Sequence, residues 1–154
     1  MGFYDFLTDV VVVKNNYVNK NKNFMGVLNT LFGRKDKNKE GEEAFINWIP
    51  LTSLDQIKEI KERSKNEPVA IFKHSTRCGI SSMVIKRFVN SFDEDLKDFK
   101  VYYLDLLSYR EISNEIGYTF QVLHQSPQLL VVKNEEVISH ASHYDIARID
   151  LKKF

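Results

Sequence analysis

Cys78 is the only cysteine among 154 residues and the residue best placed for nucleophilic chemistry. It stands in Pro68-Val69-Ala70-Ile71-Phe72-Lys73-His74-Ser75-Thr76-Arg77-Cys78-Gly79-Ile80-Ser81. The apolar run Val69 to Phe72 has strand character, and Met83, Val84, Arg87, Phe88 and Phe92 downstream carry helical spacing. A thiol at the opening of a helix faces unpaired backbone N–H groups and the positive end of the dipole, which favour thiolate over thiol. Arg77, immediately before it, adds a permanent positive charge that acts in the same direction. The expected chemistry is that of a reactive thiolate nucleophile. The competing reading is a buried, inert thiol, the usual condition of a lone cysteine.

Composition bounds what else the chain can be. With 43% hydrophobic residues and a net charge of +1, it fits one globular domain plus a tail and gives no reason to expect nucleic acid. The only basic run is the local Arg34-Lys35-Asp36-Lys37-Asn38-Lys39. A single cysteine excludes an intramolecular disulfide and a multi-cysteine zinc site within one chain, and it suggests a reducing compartment. No run approaches the roughly 20 apolar residues of a membrane-spanning helix. The Val10 to Val13 run is too short for a signal-peptide core, so the cytoplasm is expected.

Residues 1–45 read as a flexible N-terminal extension and charged linker, and residues 46–154 as the folded domain. Met25-Gly26-Val27-Leu28-Asn29-Thr30-Leu31-Phe32-Gly33 looks like a start of translation, so Met25 is the expected natural initiator. Its apolar residues would make only a weak membrane or partner contact, and its myristoylation pattern is of the short kind that recurs by chance. Within the domain Trp48 anchors the chain, and Ser53 is the expected cap of a helix carrying Leu54, Ile57 and Ile60 to about Asn66. Pro68 stops it and opens the first core strand. A helix from Gly79 to about Phe92, a strand Val101–Asp105 and a helix capped by Ser108 and ending near Gly117 follow. The strands Gln128–Lys133 and Val137–His140 form a hairpin, and Tyr144–Lys153 closes the domain as a helix. The fold class is therefore α/β, a central mixed four-stranded sheet flanked by helices.

The segment Phe72-Lys73-His74-Ser75-Thr76-Arg77-Cys78-Gly79-Ile80-Ser81 resembles the active-site region of the YtxJ-like monothiol bacilliredoxins, which have a thioredoxin-like fold. The likeness continues through Leu104-Asp105-Leu106-Leu107-Ser108-Tyr109-Arg110, His124-Gln125-Ser126-Pro127-Gln128 and His140-Ala141-Ser142-His143, and spans about Asn47 to Phe154. It implies that Cys78 is a catalytic redox centre working with one thiol. Ser81 stands where dithiol relatives have a resolving cysteine; it is expected to hydrogen-bond the sulfur but cannot attack a disulfide. Ser126-Pro127 resembles the thioredoxin-fold loop whose cis proline lies beside the cysteine and pairs with an incoming chain. Arg77 and Gly79 flank the thiol, and Lys73, His74, Ser75 and Thr76 line the approach to it. His124 is a loop residue near the proline, and Asp105 and Tyr109 are expected either to support the site from beneath or to serve as core or cap residues. His140 and His143 are read as structural residues rather than a metal pair.

The activity so implied is removal of a low-molecular-weight thiol, of bacillithiol type, from mixed disulfides on client proteins. Its partners are S-thiolated proteins and the small thiol as co-substrate, with no metal or organic cofactor and a monomeric protein expected. A rival is a glutaredoxin-like [2Fe-2S] carrier, because Cys78-Gly79-Ile80-Ser81 differs at one position from the Cys-Gly-Phe-Ser of monothiol glutaredoxins. Against it, Asn134-Glu135-Glu136-Val137 stands where glutaredoxins carry Gly-Gly-x-Asp after the proline strand. A non-catalytic thioredoxin-like binding domain is the third reading.

Overall fold

The computed structural model describes residues 46–154. The expected extension and linker of residues 1–45, the start at Met25 and its apolar face lie outside the described residues. The elements are β1 (Trp48–Pro50), α1 (Asp55–Ser64), β2 (Val69–His74), α2 (Gly79–Asn90), β3 (Lys100–Asp105), α3 (Arg110–Phe120), β4 (Gln128–Lys133) and β5 (Glu136–Ser142). Three short 3-10 turns stand at Glu94–Leu96, His143–Arg148 and Leu151–Lys153.

The strands form one mixed sheet in the order β1-β3-β2-β4-β5. β1 and β2 run parallel to β3, and β4 runs antiparallel to both β2 and β5. Helices cover both faces, so the central strands read as continuous apolar runs: Val69 to Phe72 and Leu129 to Val132 are all fully buried. Edge strand β5 instead alternates exposed and half-buried residues. Its hairpin turn has positive φ at Asn134 (53°) and Glu135 (67°), the backbone that matches the twist of the flanking strands.

One face of the sheet packs Ile71, Tyr102, Leu130 and Val132 against Ile57 and Ile60 of α1 and Ile112, Ile116 and Phe120 of α3. The other face is aromatic. Phe72 lies 5.0 Å from Phe88 of α2 and 6.0 Å, edge-on, from Trp48, and Trp48 lies 5.6 Å from Tyr103. These offset and edge contacts hold α2 firmly against the strand that delivers Cys78.

Five local expectations are corrected. The sheet has five strands, not four, because Trp48 does more than anchor the chain: its segment pairs with Val101–Tyr103, and Pro50 is tolerated on an edge strand. Ser53 does not cap α1; Gln56 folds back instead, its Oε1 accepting from Thr52 N–H (2.8 Å) and Ser53 N–H (3.1 Å). Ser108 does not cap α3 either, since Tyr109 holds that position while the Ser108 hydroxyl donates to Asp105. Gly117 lies inside α3, which ends at Gln121 in the left-handed conformation (φ 54°); a Cβ at Gly117 would meet the Val122 carbonyl oxygen at 3.2 Å. The closing segment, finally, is a pair of 3-10 turns rather than one helix, because Asp150 accepts from Lys152 N–H and starts a new turn.

Candidate active site

β2 ends at His74, and four residues later Cys78 occupies the N-cap position of α2 with extended backbone (φ −106°, ψ 120°). Its N–H donates to Ser75 O at 3.2 Å, and its own carbonyl accepts from Ser82 N–H at 3.0 Å, the first bond of the helix. No side-chain hydrogen bond caps α2, so Cys78 stands at a helix start whose first N–H groups have no side-chain partner at the cap. The thiol itself is half-buried, reduced and unpaired. Thr76, Arg77, Gly79 and Ile80 around it are exposed, and nothing lies within 4 Å of where a Gly79 Cβ would stand.

The register of the sheet brings the second loop to the same edge. Lys73 of β2 pairs with Gln128 of β4, so the chain leaving β2 toward Cys78 and the chain entering β4 from Pro127 emerge side by side. The Ser126–Pro127 peptide bond is cis, and Pro127 O accepts from His143 N–H at 3.0 Å. Asp105, the last residue of β3, accepts from Leu107 N–H and Ser108 Oγ and so shapes the neighbouring turn. Tyr109 packs half-buried against the core cluster.

Ser81 is fully buried in the first turn of α2. Its Oγ accepts from Ser75 N–H at 3.0 Å and lies 2.7 Å from His74 Nδ1. The expected bond to the Cys78 sulfur is not among the hydrogen bonds of the described residues. Ser81 instead ties the loop before the cysteine to the helix after it. His74 is also fully buried; burial pushes its imidazole down to about 4 while Asp105 pulls weakly the other way. The ring is therefore neutral, and Nδ1 and the Ser81 hydroxyl share one hydrogen bond whose direction follows the ring tautomer. His74 Nε2 is buried without a hydrogen-bond partner.

Lys73 and His74 do not line the approach to Cys78. They are the last residues of a strand covered on both faces, and consecutive side chains point to opposite sides. Lys73 passes to the α3 side, where Nζ lies 3.0 Å from His124 Nδ1 and 3.5 Å from Ser113 O. Burial alone pushes its ammonium down to about 8. The pairing of Lys73 with His124 escaped the sequence reading; the signal was a lysine at the end of an otherwise apolar strand. His140 is exposed on β5, and among the described residues no three His, Cys, Asp or Glu side chains cluster as metal ligands.

Residues 49–151 match the family described as monothiol bacilliredoxin BrxC. The chain belongs to that family. A solved structure of a thioredoxin-fold protein is 33% identical, with a TM-score of 0.56, covering 64% of this chain and 85% of its own. Thioredoxin O2 from Arabidopsis thaliana is 18% identical (TM-score 0.53; 69% and 89% covered). Mitochondrial thioredoxin 3 from Saccharomyces cerevisiae is 17% identical (0.54; 72% and 95%). These two show the fold alone. Family and fold together support a thiol oxidoreductase, and no helix of the described residues is long and apolar enough to cross a membrane.

Proposed function

We propose that this bacilliredoxin removes a low-molecular-weight thiol of bacillithiol type from mixed disulfides on client proteins, using Cys78 as its one nucleophile. The observation that carries the reading is the half-buried thiol at an uncapped helix start, on the same sheet edge as cis Pro127. The Cys78 thiolate attacks the small-thiol sulfur of the mixed disulfide. The client leaves as its thiolate, and the small thiol is now disulfide-bonded to Cys78. A second small-thiol anion attacks the sulfur of the first, giving the small-thiol disulfide and regenerating the Cys78 thiolate. Atoms and electrons balance, and the cycle uses no metal or organic cofactor.

The surrounding residues divide the work. Arg77 and Thr76, exposed beside the thiol, meet the polar part of the small thiol, and Gly79 leaves space over the first turn of α2. Ile80 and Met83, each 40% exposed, offer apolar contact to a client chain. The backbone at Ser126 pairs with that chain in extended form. Ser81 secures the loop, and release is left to a second small-thiol molecule. The setting is a reducing compartment, the cytoplasm.

Intact mass after incubation with a bacillithiolated or glutathionylated protein tests the cycle. One small-thiol adduct per chain is expected, together with stoichiometric release of client thiol, and neither in Cys78→Ser. Client release with no adduct on Cys78 would overturn the mechanism. A visible chromophore after anaerobic iron–sulfur reconstitution, in place of an adduct, would favour the cluster carrier.

A further inference from the structure

We propose that Lys73 and His124 are positioning residues for the loop that carries Ser126 and Pro127, and that a proton taken up by His124 releases their hold. The proposal rests on the thiol-exchange reading, in which that loop pairs with the incoming client.

The geometry is an inner tether on a surface loop. Lys73 is fully buried on β2, whereas His124 is exposed, two residues before Ser126. Lys73 Nζ reaches His124 Nδ1 at 3.0 Å, and Ser113 Oγ of α3 lies 3.1 Å from the same nitrogen. An ammonium has only protons to offer, so Nδ1 must be the bare acceptor of a neutral ring with its proton on Nε2. A second ring proton removes that acceptor and sets two positive charges 3.0 Å apart. The Lys73 bond then breaks, and the Ser113 hydroxyl turns from donor to acceptor of the new Nδ1–H.

Burial holds the His124 imidazole below its ordinary value, and two cations, Lys73 from β2 and Arg110 from α3, act on it in the same direction. The other ties on the loop do not titrate. Gln128 Nε2 donates to Leu123 O at 2.8 Å, and the Ser142 hydroxyl donates to Gln125. They keep the loop near the sheet at any pH, leaving the Lys73–His124 contact as the tether that pH can cut. The same loop forms one wall of a groove of about 460 Å³, whose other lining includes His140 and Ser142 of β5. Its release therefore alters the surface beside Pro127 as well as the backbone at Ser126.

Two measurements test this. In amide NMR from pH 5 to 8, Gln125 and Ser126 are expected to titrate together with the His124 ring in the wild type. In His124→Asn, whose side-chain oxygen still accepts from Lys73 but cannot be protonated in this range, they should not titrate. In Lys73→Met the ring midpoint should move up. With a glutathionylated protein as substrate, KM should rise several-fold below the wild-type midpoint and stay flat in His124→Asn, so that the variant separates the loop from titration of the thiol. Loop amides that ignore the ring, or a midpoint unmoved by Lys73→Met, would overturn the tether. A KM that climbs equally in His124→Asn would overturn its role in client binding. If the protein exchanges with no mixed disulfide at any pH, the thiol-exchange reading fails and the NMR result alone decides the tether.

Discussion

At the scale of single residues, Cys78 was legible and its neighbours only partly so. A strand-type run, a polar loop and a helical run define the place of a lone cysteine without tertiary information, and the structure puts Cys78 at the expected N-cap. Ser81 was seen but given the wrong hydrogen-bond partner. Its hydroxyl turns inward to His74 and the Ser75 amide, because the third position of a helix packed on a sheet points at the core and not at the N-cap side chain. Replacing Ser81 with Ala leaves a buried N–H and a buried ring nitrogen without partners. At about 1–3 kcal/mol for each unmet group, the net cost should be about 2 kcal/mol or more. Urea unfolding would show it as a lower midpoint with unchanged slope. Gly79→Ala is the contrasting case. A Cβ there meets nothing within 4 Å, so stability should hold or rise by up to about 1 kcal/mol, with the adduct-forming activity retained.

Among the elements, the strands and helices with continuous or periodic apolar residues were readable, and the three-residue strand β1 and the closing 3-10 turns were not. Trp48–Pro50 is too short to show a period, and only its pairing with β3 makes it a strand. In Tyr144–Lys153 the buried Ile146 and Leu151 are five apart, a spacing that one straight helix does not put on a single face. The Gly117 position shows how an element's end depends on what folds over it. Composition suggested that the glycine stops α3, yet the helix runs on and the returning chain lies against it. In Gly117→Ala the helix-propensity gain, about 1 kcal/mol, opposes a 3.2 Å contact with the Val122 carbonyl. That oxygen is main chain, and its residue is buried in the core cluster, so it yields poorly. A net loss of up to about 1 kcal/mol is expected in thermal or urea unfolding. An outright gain would mean that residues 117–122 are more pliant than their packing implies.

For the molecule as a whole, the two polar side chains at the end of β2 shape how stability depends on pH. The imidazole of His74 is held near 4, below the 6.5 of an unfolded chain. Between those values the unfolded state binds the extra proton, so stability is full above about pH 6.5 and falls as pH drops toward 4. Each such group steepens the curve by at most about 1.4 kcal/mol per pH unit, or about 3 kcal/mol across the His74 window. The depressed ring of His124 adds to the same limb. Lys73 acts at the other end. Its ammonium is held near 8 in the folded state against 10.5 unfolded, so the unfolded state again carries the extra proton, and stability climbs as pH rises from 8 to 10.5. A buried ammonium with an imidazole and a carbonyl for company is a stability cost at neutral pH. Lys73→Met keeps most of the volume and removes the charge, so it should stabilise the fold at pH 7 by about 1–3 kcal/mol. It should also abolish the rise between pH 8 and 10.5. The check is a set of urea midpoints at pH 5, 7 and 10 for the wild type and the variant. If Lys73→Met is less stable at pH 7, the contacts to His124 and Ser113 outweigh the cost of burying the charge. If it gains stability while KM for a mixed-disulfide protein rises, the lysine holds the Pro127 loop at the expense of the fold.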